Sequence, residues 1–201
     1  MTDSDSNTVD QKRRRMLVAS TSAVGVVGAA AFAAPLLSSW MPSARAKAAG
    51  APVEVNISKI EPGQLVRVIW RGKPVWLIKR SQETLEDLSS NEALLADPDS
   101  SVGSQQPEYA QNEARSRKPE MLIAIGICTH LGCSPTYIPE IGADSMGAGW
   151  KGGFFCPCHG SSFDMAGRVF KNVPAPTNLV VPPHYYKSDD LVLIGEDGGN
   201  A

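Results

Sequence analysis

The stretch Met121–Cys133, MLIAIGICTHLGC, runs from apolar and small residues straight into a segment that carries Cys128, His130 and Cys133. An apolar run of this length, rich in Ile, predicts a buried strand that delivers a loop. Farther along, Gly153–Phe163, GFFCPCHGSSF, repeats the plan: aromatic residues, then Cys156, Cys158 and His159. The two boxes contain all four cysteines and two of the three histidines of the 201-residue chain. Such clustering signals a metal site or a disulfide staple.

The segments around the boxes show the period of two expected of strands. Val53, Val55 and Ile57 alternate with polar residues. Leu65–Trp70 and Val75–Lys79 flank Arg71-Gly72-Lys73-Pro74, which predicts a hairpin. Trp150–Phe155 leads into the second box. Further strands are expected at Arg168–Phe170, Leu179–Val181, His184–Lys187 and Leu191–Ile194, with Asp189-Asp190 turning the last pair. Between residues 81 and 120 the pattern breaks, and Leu85, Leu88, Leu94 and Leu95 predict one or two short helices. The body, 53–201, therefore reads as an all-β antiparallel domain with a short helical insertion at 81–120. His184, outside both boxes, reads as an ordinary surface or strand histidine.

Residues 1–15 are polar and read as a flexible tail, and no charged residue occurs from Met16 to Ala44. A helix over 16–40 would be about 37 Å long, enough for a bilayer core of about 30 Å. The alternative is a cleaved secretory signal ending near Ala44-Arg45-Ala46; the length of the run and Trp40 at its end favour a retained anchor. Lys12, Arg13, Arg14 and Arg15 precede the span and only Arg45 and Lys47 closely follow it, which places the N-terminus in the cytoplasm and the folded part outside. Arg13-Arg14-Arg15-Met16-Leu17 also has the pattern of a twin-arginine export signal. Residues 41–52, small and proline-flanked, read as a flexible hinge linker. The formal net charge of −2 argues against a nucleic-acid binder.

The boxes supply one Cys-x-His pair, one Cys-x-x-His pair and two further cysteines. A tetrahedral zinc ion would be satisfied by four such donors. A two-iron, two-sulfide centre can take two thiolates on one iron and two imidazoles on the other, and it is favoured because zinc alone leaves Cys133 and Cys158 without a role.

Together with the twin-arginine anchor, the WRGKPVW segment at 70–76, KPE at 118–120 and Pro174-Ala175-Pro176, the boxes make the chain resemble the Rieske iron–sulfur proteins of respiratory complex III, the cytochrome bc complex, especially those of proteobacteria. The resemblance covers nearly the whole chain. It implies an all-β Rieske domain with a base sheet and a small cluster-binding subdomain, about residues 121–176, holding one [2Fe-2S] cluster. Cys128 and Cys156 would bind the inner iron, His130 and His159 the outer one, and Cys133–Cys158 would be a disulfide. Leu131 would contact the quinol pocket, and Ser161 would donate its hydroxyl to a bridging sulfide. The implied partners are cytochrome b, a c-type cytochrome subunit and quinol, ubiquinol foremost, at the bacterial inner membrane. His130 or His159 would hydrogen-bond the quinol and accept its proton. The rival readings are a soluble Rieske ferredoxin and the small subunit of another periplasmic oxidoreductase such as arsenite oxidase. Two positions depart from the family pattern. Phe163 stands where many relatives carry a tyrosine that donates to a ligand cysteine, and Val173 precedes Pro174 where glycine is common.

Overall fold

A computed structural model describes residues 10–199, which fall into two compact units divided between Ala48 and Ala49.

In the first unit, helix α1 (Gln11–Ser39) begins five residues before the expected Met16. The reason is a cap: the Asp10 carboxylate accepts from the backbone N–H groups of Lys12 and Arg13, satisfying donors that a helix start leaves orphaned. The basic run is thus helical, and the part of the expected tail before Asp10 lies outside the described residues. Among the described residues α1 is the one helix long and apolar enough to cross a membrane. A short helix α2 (Ala44–Ala49) occupies the middle of the expected linker. The Ser43 hydroxyl caps it by accepting from Ala46 N–H at 3.1 Å, and ARAKAA is made of strong helix formers.

Three three-stranded antiparallel sheets form the second unit. The first contains β1 (Val53–Asn56), β8 (His184–Ser188) and β9 (Leu191–Ile194), with β9 in the middle. The second contains β2 (Leu65–Trp70), β3 (Lys73–Lys79) and β4 (Met121–Ile125), with β3 central. β5 (Thr136–Ile138), β6 (Gly153–Phe155) and β7 (Ser162–Phe163) make the third. The β2–β3 turn is tighter than expected. Arg71 and Gly72 both adopt positive φ, 51° and 73°, and Trp70 already pairs with Lys73. Two successive left-handed residues match the twist of a hairpin.

The second sheet is buried on both faces, which explains why MLIAI shows no polar alternation. Trp76 and Ile78 lie opposite Ala124 and Leu122 and pack in one cluster with Phe154, Phe163, Cys128 and Cys156. Val75 and Leu77 lie opposite Ile125 and Ile123 and pack in another with Val55, Val192 and Ile194. The insertion consists of α3 (Gln82–Asp87), capped by Ser81, followed by 3-10 turns at Ser89–Leu94, Gly103–Gln105 and Glu108–Ala110.

Two expected strands do not form. At 168–170 only the isolated bridges Phe163↔Val169 and Leu95↔Phe170 remain. At 179–181 the backbone bonds go to three different segments: Leu179 N–H to Gly167 O, Val181 N–H to Gln105 O, and Ile125 N–H to Val180 O. Their apolar residues are core residues without a common ladder. Conversely, β5 and β7 are too short to leave a periodic signal.

His184 is a strand residue but not a surface one; it is fully buried. Its Nδ1 lies 2.8 Å from Pro182 O, an acceptor, so Nδ1 carries the proton. The Tyr109 hydroxyl accepts from His184 N–H at 2.8 Å, and the Arg117 guanidinium lies over the Tyr109 ring at 3.4 Å. Burial lowers the His184 pKa from 6.5 to about 4. The folded state therefore binds fewer protons than the unfolded one between these values, and stability is full above pH 6.5 and falls as pH drops toward 4. From pH 7 to pH 5 this group alone should remove about 2 kcal/mol. Urea unfolding of wild type and His184→Gln at both pH values measures it; the variant should lose that much of the pH dependence.

Gly126 gives a second prediction. A Cβ there would sit 2.1 Å from Trp76 Cε2, inside the core that carries the first box. Gly126→Ala should cost about 1–3 kcal/mol, visible as a lowered urea midpoint with an unchanged slope.

Candidate metal centre

The two boxes form two loops with the same backbone hydrogen bonding. In the first, Cys128 N–H donates to Cys133 O at 2.7 Å and Gly132 N–H to Cys128 O at 3.1 Å. In the second, Cys156 N–H donates to Ser161 O at 2.7 Å and Gly160 N–H to Cys156 O at 2.9 Å. Each loop thus starts on a cysteine whose N–H and C=O are both tied within the loop. Gly132 and Gly160 turn it at φ 85° and 79°, in the left-handed region that glycine enters freely. Gly160 has open space where a Cβ would go, so the backbone conformation, not crowding, selects glycine there.

Cys128 follows β4 closely and Cys156 follows β6 directly, and both thiols are buried, at 3% and 2% exposure, without a disulfide partner. Cys133 and Cys158 are bonded to each other, joining the two loops. The Cys156 sulfur lies within 4.8 Å of both disulfide sulfurs. Those two are already covalently paired and cannot act as thiolate ligands. At the outer end, the His130 and His159 rings stand 4.7 Å apart between centroids, nearly perpendicular at 86°. His130 is half-buried and His159 exposed, and Leu131 beside them is 71% exposed.

A third wall comes from the 174–177 segment, held by one hydroxyl from each loop. Thr129 donates to Thr177 O at 2.7 Å. Ser161 accepts from Ala175 N–H at 3.0 Å, which leaves its own proton free to donate. Burial pushes the Cys128 thiol up, with the Cys156 thiol acting in the same sense and His130 and Ser161 against it. Phe163 is fully buried and packs with both thiols and Phe154.

The donor set passes a chemical test for a two-iron group. Two buried thiols lie at the inner end and two more accessible imidazoles at the outer. Thr129 escaped the sequence reading, although a hydroxyl inside a ligand loop was a usable signal. The buried Asp164–Arg168 ion pair behind the second loop, 2.8 Å with both side chains covered, left no such signal, because charged residues in a short segment read as surface.

Comparison with known proteins agrees with this geometry. Residues 105–183 match the Rieske [2Fe-2S] domain family, and residues 3–43 match the family described as "Ubiquitinol-cytochrome C reductase Fe-S subunit TAT signal". The ubiquinol-cytochrome c reductase iron-sulfur subunit of Allochromatium vinosum is 65% identical over 96% of this chain and 93% of its own. That of Blastochloris viridis is 41% identical over 94% of this chain and 96% of its own. The mitochondrial Rieske subunit of the cytochrome b-c1 complex of Theropithecus gelada is 39% identical over 89% of this chain and 58% of its own. With loops, thiols, imidazoles and disulfide in this arrangement, and with relatives alike from end to end, the chain belongs to the Rieske iron–sulfur subunits of ubiquinol–cytochrome c reductase.

Proposed function

We infer that this chain takes one electron and one proton from ubiquinol at a cytochrome b subunit and passes the electron to a c-type cytochrome subunit. The observation that carries the reading is the pairing of two buried, unbridged thiols with two adjoining imidazoles in loops locked by a disulfide. When bound, a [2Fe-2S] cluster with imidazoles on one iron supplies a one-electron acceptor of higher potential than an all-cysteine cluster. Cys128 and Cys156 would hold it from the core side, and His130 and His159 from the outer side. The apolar walls from Phe154, Phe163 and Leu179 exclude water from the thiol end. At the outer end, an imidazole nitrogen of His130 or His159 hydrogen-bonds the quinol hydroxyl and takes its proton. Leu131 presents an apolar side chain to the quinol pocket. α1 anchors the chain with its N-terminus cytoplasmic and residues 53–201 in the periplasm, and the 41–52 segment is the hinge between them.

The ligand set is tested by replacing Cys128, His130, Cys156 and His159 singly with Ser or Ala. Each variant should lose the rhombic electron paramagnetic resonance signal of the reduced protein; a normal signal in any one removes that residue from the set. Ser161→Ala tests its hydroxyl as a donor to a bridging sulfide. A hydrogen bond to sulfur favours the electron-rich reduced state, so its loss should lower the potential. A net value of about 0.5–1.5 kcal/mol corresponds to roughly 20–65 mV for one electron. Protein-film voltammetry giving an unchanged or higher potential would refute the role of Ser161.

A further inference from the structure

Behind the second loop the fold buries more positive charge than it neutralises. β7 runs into a turn over residues 164–168, closed by Asp164 N–H to Arg168 O and Gly167 N–H to Asp164 O, both 2.9 Å. One Asp164 oxygen accepts from the N–H groups of Ala166 and Arg168, and the other accepts from the Arg168 guanidinium. The remaining carbonyls of the turn meet guanidiniums that arrive from elsewhere in the chain. Arg80 Nη1 lies 3.2 Å from Met165 O. Arg115 Nη1 lies 3.4 Å from Ala166 O and 3.2 Å from Gly167 O, and its Nη2 donates to Gln106 Oε1 at 2.9 Å.

Arg80, Arg115 and Arg168 are 3%, 0% and 0% exposed, and Asp164 is 0% exposed. Three buried cations thus share one buried carboxylate. Asp97 and Glu120 also act on the guanidiniums, but Asp97 is partly and Glu120 largely open to solvent, which screens them. Burial lowers Arg80 and Arg115 to about 10, so both stay protonated at neutral pH. Keeping such charges out of water is costly, and the hydrogen bonds to carbonyls offset the cost without cancelling the charge. Phe163, Met165 and Ala166 belong to the same apolar cluster as Cys128 and Cys156. The medium between the guanidiniums and the thiols is therefore packed protein, where fields are weakly screened.

We propose that Arg80, Arg115 and Arg168, set against the single carboxylate of Asp164, are positioning residues whose surplus positive charge raises the one-electron reduction potential of the group held by Cys128, His130, Cys156 and His159. The proposal rests on that ligand assignment. Reduction adds one negative charge to the group. A buried cation nearby favours the reduced state, and a buried anion disfavours it. The surplus works in the same sense as the donor that Phe163 lacks.

Charge and structure make opposite predictions for a pair of variants. The full-length, cluster-containing protein in detergent is titrated redox-potentiometrically, with the rhombic paramagnetic signal as readout. Arg115→Met should shift the reduction equilibrium at least threefold toward the oxidised form, about 28 mV at about 59 mV per tenfold. Arg115→Lys, which keeps the charge, should return most of that shift. Asp164→Asn, which keeps an acceptor for the Ala166 and Arg168 amides, should shift the potential upward. Arg80→Met and Arg80→Lys form an independent pair if an Arg115 variant fails to take up the cluster. Shifts of the same sign for Arg115→Met and Asp164→Asn, or none, overturn the proposal and leave the arginines a purely structural role. A wild-type protein without a rhombic signal overturns the ligand assignment, and the proposal with it.

Discussion

Two thiols must stay unbridged within a few ångströms of a disulfide, and much of the second unit can be understood from that constraint. Four cysteines in so small a volume allow six single disulfides, of which only Cys133–Cys158 leaves the two buried sulfurs available. Cys128 and Cys156, whose N–H and C=O are both engaged at the base of their loops, have buried side chains. Cys133 and Cys158 lie farther along the loops, nearer the surface, and meet each other there. The disulfide then fixes the spacing of two loops whose individual shapes are already set.

The loops need a rigid base, and the double burial of the second sheet provides it. Trp76 joins the layers: it stacks on Phe154 of the third sheet with ring centroids 5.0 Å apart, and it fills the space that a side chain at Gly126 would occupy. The strand ahead of Cys128 and the strand ahead of Cys156 are thereby packed through one indole. The 164–168 turn adds a polar clamp on the opposite side. Its carbonyls are bound by Arg80 from the end of β3 and by Arg115 from the insertion, so the insertion, which contributes no donor, still bears on the geometry of the site.

The boxes were legible in the sequence because ligand chemistry restricts residue types at fixed spacing, and the glycines there answer to a positive φ. β1, β2, β4 and β9 were legible because their apolar residues either alternate or run unbroken. What could not be read was whatever depends on distant partners. Leu179 and Val181 look like a strand, yet their amides find acceptors in two unrelated segments. Ala-rich 44–49 reads as a linker by its flanking prolines, while local propensity and the Ser43 cap make it helical. His184 reads as unremarkable, because nothing local reveals that Tyr109 and Arg117 close over it.

The export signal adds a temporal constraint to the same geometry. The matched twin-arginine family at residues 3–43 belongs to a route for cargo folded before it leaves the cytoplasm, where thiols are kept reduced. A cluster loaded there meets loops that are not yet bridged. The loops must then be held by what the cytoplasm permits: the four backbone hydrogen bonds within them, the Thr129 and Ser161 hydroxyls on the 174–177 segment, and the buried ion pair behind the second loop. Each of these exists without oxidation.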